Sequence, residues 1–219
     1  SIAPGTADLA AGPAMSAAQF DAAWSVGEDE ARQAHGEGYS LLIAGEMGIG
    51  NTTAAACLTT LLAKIAPEQA VGRGAGADDA ALAAKARIVD SAATRAGGLM
   101  ASDARAAIAG VAGFEIAAMA GFFAQAAAQG STVLLDGYVA MSAALVAEAL
   151  APGARTAMIA AHRSAEPGHA GALAALELDP ILDWQMRLGE GTGALVALPL
   201  LDSAAALLTN VAKLADLGV

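Results

Sequence analysis

The stretch Gly45-Glu46-Met47-Gly48-Ile49-Gly50-Asn51-Thr52-Thr53 constrains the fold of this chain more than any other. Ahead of it, residues 39–44 form an apolar run of strand length. Behind it, residues 53–65 form an Ala/Leu-rich run of helix length. A glycine-rich turn between a strand and a helix lets backbone N–H groups converge on an anion at the helix N-terminus. Asn51 is a favoured N-cap residue, and Thr52 and Thr53 add hydroxyl groups in the first turn. Glu46 puts a carboxylate just upstream. No lysine follows Gly50, so this is not a Walker A loop. Gly45, Gly48 and Gly50 are spaced G-x-x-G-x-G, which is not the dinucleotide fingerprint. Spacing alone leaves two readings open, an anion cradle and a tight connection that binds nothing.

The rest of the chain repeats the alternation. Residues 132–135 and 156–160 read as two further short strands. Helices are expected over 16–34, 79–96, 102–111, 114–130, 138–150, 169–176 and 194–216. Ser16, Asp78 and Ser102 are the expected N-caps, Pro67 the stop after the second helix, and Pro199 a bend in the last. The glycine run from Gly72 to Gly76 is expected to be a loop. Strands alternating with helices predict an α/β fold, a parallel sheet flanked by helices, in a single domain over residues 1–219. About three strands are few for such a sheet, so further partners are expected from elsewhere.

Composition narrows the function. The 219 residues are 56% hydrophobic and 15% charged, enough apolar material for a sizeable core. A net charge of −11 argues against a nucleic-acid-binding face, while leaving room for a local cationic pocket. The single cysteine, Cys57, excludes an intrachain disulfide framework and fits a cytoplasmic protein; its expected place is the helix after the glycine loop. The longest apolar stretches, broken by Glu115, Gln125, Glu148 or glycines, read as buried helices and not as membrane spans.

Polar residues cluster at strand ends. Asp136-Gly137 follows the second strand, where open α/β sheets bind ligands; Asp136 can orient a hydroxyl or cap the next helix. His162, Arg163, Ser164, Glu166 and His169 follow the third strand and can wall a pocket or satisfy one another. The histidines lack a third ligand at a recognisable metal spacing, so no metal is expected. Lys85 can reach a phosphate or sit solvated on its helix. Glu190, between Gly189 and Gly191 and near Met186, Leu188 and Leu195, is the sharpest base candidate. Its other role is charge compensation at a helix N-terminus.

Read together, Gly45–Thr53, Gly72–Gly76 with Lys85, Leu135-Asp136-Gly137-Tyr138, His162–His169 and Met186-Arg187-Leu188-Gly189-Glu190-Gly191-Thr192-Gly193 closely resemble the nicotinate-nucleotide–dimethylbenzimidazole phosphoribosyltransferase family. The resemblance covers essentially the whole chain. It implies a Rossmann-like parallel sheet and transfer of phosphoribose from nicotinate mononucleotide to 5,6-dimethylbenzimidazole, in assembly of the cobalamin nucleotide loop. Glu190 matches the family's general base, and Glu46 a second active-site carboxylate. Lys85 with Gly48, Ile49 and Gly50, followed by Asn51 and Thr52, matches the phosphate-holding residues. Asp136, Gly137, Ser164 and Glu166 are expected to frame the ribose and nicotinate, with Leu188, Gly191 and Gly193 beside the base. The resemblance implies no cofactor, and suggests a homodimer. Family members are longer at the N-terminus; this chain starts where they reach a Gly-Thr-Ala-Asp segment, here Gly5–Asp8, so the family's first strands and part of the acceptor pocket are expected to be missing. The alternatives are a homologue that binds a phosphorylated nucleotide without turnover, and a subunit that pairs with a longer chain.

Overall fold

A computed structural model of the chain describes residues 2–73 and 78–212. Residues 74–76 of the expected glycine loop and 213–216 of the expected last helix lie outside the described residues. Ser16 opens α1 (Ala17–Gly36) with a capping box: its hydroxyl accepts from Gln19 N–H, and the Gln19 side chain accepts from Ser16 N–H. There follow β1 (Leu41–Ala44), α2 (Asn51–Ala63), the short α3 (Pro67–Ala70), α4 (Asp79–Gly97), α5 (Ala104–Ala109) and α6 (Phe114–Ala128). Then come β2 (Thr132–Leu135), α7 (Tyr138–Leu150), a 3-10 turn at Ala154–Ala157, β3 (Met158–Ala160), α8 (Gly168–Leu176) and α9 (Thr192–Asn210).

The sheet has three strands in the order β1-β2-β3, all parallel. Leu42, Val133 and Met158 stand in register, as do Ile43, Leu134 and Ile159. Side chains alternate across a strand, so these rows face opposite ways. Leu42, Val133, Leu135, Met158 and Ala160 join the main core with Phe20, Phe123, Ile116, Met141 and Leu58. The other row, Leu41, Ile43, Leu134 and Ile159, packs with Ala194, Ala197, Leu198 and Leu201 of α9. Helix α7 is buried along almost its whole length, as an all-round apolar helix must be.

Several local expectations need correction. Asn51 does not cap α2: Gly50 holds the cap position at φ +86°, and the Asn51 amide donates to Glu46 instead. Helix α2 ends at Ala63 with Lys64 left-handed at φ +56°, and Pro67 starts α3. Asp103, not Ser102, caps α5, because a carboxylate there accepts from Ala106 N–H at 2.9 Å. Helix α9 is largely exposed: Gly193, Ala194 and Ala197 are buried and Leu198 and Leu201 partly covered, while Leu207 and Leu208 stand 64% and 85% exposed. By length and composition alone, Thr192–Asn210 is long and apolar enough to cross a membrane. Cys57 lies on α2 as expected, and burial pushes its thiol up to about 12.

This asymmetry has a measurable consequence. Phe123 is wholly enclosed, so Phe123→Ala should lower stability by roughly 3–5 kcal/mol in chemical denaturation. Leu208→Ser should stay within about 0.5 kcal/mol of the parent chain.

Candidate active site

The carboxyl ends of all three strands open onto one cleft of about 500 Å³. Its first wall is the β1–α2 loop, with Glu46, Gly48, Ile49, Gly50, Asn51 and Thr52. Gly50 gives α2 no side-chain cap; Thr53 N–H donates to the Gly50 carbonyl at 3.0 Å, and the Asn51 and Thr52 amides ahead of it are available to an anion. Gly137, Tyr138 and Val139 form the second wall, Ser164 and Glu166 the third, and Arg187, Leu188 and Gly189 the last. Ten of the expected site residues therefore line one space: Glu46, Gly48, Ile49, Gly50, Asn51, Thr52, Gly137, Ser164, Glu166 and Leu188.

Lys85 stands behind this lining. Its ammonium donates to Thr52 Oγ1 at 2.9 Å and to the Gly72 carbonyl at 3.3 Å. Burial pulls its pKa below the ordinary lysine value, and the charge of Glu166 works the other way. One Glu166 oxygen is buried without a hydrogen-bond partner. The ammonium thus sits behind the uncapped α2 N-terminus, and both favour a negative charge in the cleft.

Glu46 is the tuned carboxyl. Its pKa is raised to about 7, first by burial and then by the charge of Glu115; the Asn51 hydrogen bond opposes this, and Asp136 and Glu190 raise it further. A second hollow of about 550 Å³ lies across the Gly48–Asn51 loop and includes Glu115.

Glu190 is exposed and its turn is held against this loop. Glu46 N–H donates to the Gly189 carbonyl at 3.0 Å. At Gly45 a Cβ would fall 2.5 Å from the Glu190 carbonyl carbon and 2.4 Å from Gly191 N, so only glycine lets the two loops approach this closely. The apolar neighbours expected around Glu190 do not close over it, since Leu188 and Leu195 are exposed.

Asp136 does not line the cleft. It is fully buried, and its oxygens accept from Gly191 N–H and Ala194 N–H, both at 3.0 Å. It caps α9, not the helix that follows it. Gly191 and Gly193 are buried beside it. His162 Nε2 lies 3.5 Å from Asp136 Oδ1. His169 is enclosed and held neutral, its pKa lowered to about 3 chiefly by burial; its Nδ1 accepts from Ser164 N–H at 3.3 Å.

Met47, Tyr138, Val139, Arg187 and Gly189 also line the cleft and were not among the expected site residues, although all but Val139 adjoin one that was. Glu115 had no local signal, because only the tertiary fold brings α6 near Glu46. Among the described residues, no group of three or more His, Cys, Asp or Glu side chains is placed to hold a metal ion.

Comparison with known proteins decides the family. The DBI_PRT model, described as phosphoribosyltransferase, matches residues 1–219. The chain belongs to the DBI_PRT phosphoribosyltransferase family. A relative from Mycobacterium avium (strain 104), named nicotinate-nucleotide–dimethylbenzimidazole phosphoribosyltransferase, is 49% identical over 215 residues, 98% of this chain and 61% of the relative. A Pseudomonas putida (strain KT2440) relative of the same name is 46% identical, again over 98% of this chain and 61% of its own length. The crystal structure of CobT from Thermus thermophilus superposes with a TM-score of 0.91 at 42% identity, covering 100% of this chain and 65% of that one. This chain of the DBI_PRT family thus spans less than two thirds of the length of these relatives.

The Glu46 environment sets a pH dependence. With its pKa at about 7 in the fold and near 4.5 otherwise, the folded state binds the proton more readily than the unfolded state. Its contribution is therefore full below about pH 4.5 and is lost as pH rises through 7. Glu46→Gln should flatten stability over that window in thermal melts. Above pH 7 the variant should be more stable by about 1–2 kcal/mol, after allowance for solvent screening.

Proposed function

We propose that the chain is a phosphoribosyltransferase domain over residues 1–219 that moves phosphoribose from nicotinate mononucleotide to 5,6-dimethylbenzimidazole. The products are α-ribazole 5′-phosphate and nicotinate. The observation that carries this reading is the joining of an uncapped helix N-terminus, backed by Lys85, to a turn bearing Glu190 through the Glu46–Gly189 hydrogen bond. The names of the M. avium and P. putida relatives support the substrates. The resemblance further carries a cytoplasmic location and a homodimer.

In this reading the 5′-phosphate rests on the α2 amides and Thr52, with Lys85 behind. The pyridine nitrogen of the donor is already cationic, so nicotinate departs without protonation there. Glu190 takes the imidazole N–H proton while the other ring nitrogen attacks C1′. With its pKa raised to about 7, Glu46 is half protonated near neutrality. A cationic donor favours its ionised form, which then stabilises the oxocarbenium-like ribose. Ser164, Glu166 and Gly137 border the ribose and nicotinate, and Leu188 the acceptor.

Nicotinate release from the mononucleotide, followed with dimethylbenzimidazole present, tests the reaction. Glu190→Gln should lower kcat by roughly 10²–10⁴-fold with nucleotide binding retained in calorimetry. Unchanged turnover in that variant contradicts the assignment of the base. Nucleotide binding with no product from the parent chain contradicts transfer by it.

A further inference from the structure

We infer that Asp136, oriented by His162, is a positioning residue that fixes the Glu190 turn from behind rather than a residue that touches substrate. The inference rests on the proposed role of Glu190 and adds how the fold aims that carboxylate.

Glu190 lies between two restrained peptide groups. On its N-terminal side, the Gly189 carbonyl accepts from Glu46 N–H at 3.0 Å. On its C-terminal side, Gly191 N–H donates to Asp136 Oδ2 at 3.0 Å. The second carboxylate oxygen accepts from Ala194 N–H in the first turn of α9, also at 3.0 Å. One buried carboxylate therefore spans the turn and the helix that follows it. The N-cap of α9 is Gly191, which has no side-chain acceptor, so Asp136 supplies from β2 the negative charge that a helix N-terminus favours.

The third strand completes the arrangement. His162 leaves the end of β3 and sets Nε2 at 3.5 Å from Asp136 Oδ1, both side chains being enclosed. At Gly193 a Cβ would fall 2.0 Å from His162 Cδ2 and 2.8 Å from Asp136 Oδ1, so glycine there makes room for the pair. His169 stacks near His162, with ring centroids 6.2 Å apart, and burial keeps it neutral, so it does not compete for the Asp136 charge. Burial alone would raise the Asp136 pKa, but the His162, Ala194 and Gly191 contacts outweigh it and hold the carboxyl below the ordinary range. An ionised acceptor bonded to two backbone amides at once restrains both. Both oxygens thus make contacts inside the protein, and Asp136 is fully buried and absent from the cleft lining.

The test is Asp136→Asn in the full chain, read by amide hydrogen exchange and by steady-state kinetics. The asparagine keeps the shape but offers one carbonyl oxygen where two carboxylate oxygens were used. The Gly191 and Ala194 amides should exchange at least about 10-fold faster, while the β2 and β3 amides keep their protection and report an intact fold. The kcat for nicotinate release should fall by about 10²-fold with KM for the mononucleotide nearly unchanged. In a Glu190→Gln background, Asp136→Asn should lower kcat no further, because nothing remains to be aimed. Unchanged protection at Gly191 and Ala194 overturns the inference, as does a raised KM with kcat intact, which marks a ribose contact. Absence of transfer by the parent chain would instead remove the proposed function. The exchange measurement would still decide whether Asp136 holds the turn.

Discussion

A single backbone hydrogen bond, from Glu46 N–H to the Gly189 carbonyl, joins the two halves of the candidate site. One half is the β1–α2 loop and the uncapped start of α2; the other is the Glu190 turn and the start of α9. The bond depends on how closely the chains approach at Gly45, where a side chain would collide with the Glu190 backbone. It depends equally on parallel strands, which bring their carboxyl ends to one edge of the sheet. The loops after β1 and β2 reach the same turn, through Gly45 and Glu46 and through Asp136, and His162 after β3 stands against Asp136.

Charge divides the site into two regions. Glu46, Glu115, Asp136 and Glu190 are near enough for the other three to raise the Glu46 pKa. That concentration of acid suits a cationic donor and a developing positive charge on ribose, and it disfavours an anion. The anion-favouring end lies at Thr52 and Lys85, where the helix N-terminus and the ammonium act together. A phosphorylated sugar carrying a cationic base fits this polarity, with its phosphate toward Lys85 and its anomeric carbon toward the acids. Asp136 is separate in kind: its charge is spent on two amides and a histidine, inside the protein.

The sequence made the elements legible where local chemistry is self-sufficient. Ser16 caps α1, Asp78 caps α4, and the β-branched run at residues 132–135 is a strand with its expected bounds. It misled where a side chain has a choice. Asn51 is a good cap, but Glu46 accepts its amide, and Gly50 takes the cap position. Glycine loops and polar strand ends pointed to the cleft, and most of the named residues line it. The role of Asp136 was not legible, since its partners lie 55 and 58 residues further along. The apolar composition of α9 does not reveal how much of it is covered, because apolar residues are buried only where neighbours exist. Its first turns meet the sheet, while Leu207 and Leu208 meet solvent.

The central claim is that the glycine loop and the Glu190 turn form one binding site. Titration of the isotopically labelled chain with nicotinate mononucleotide, followed residue by residue through backbone amide chemical shifts, tests it most directly. The account expects Gly48–Thr52 and Gly189–Gly191 to shift together along one saturation curve. Shifts confined to one of the two segments, or two curves with different midpoints, would contradict it.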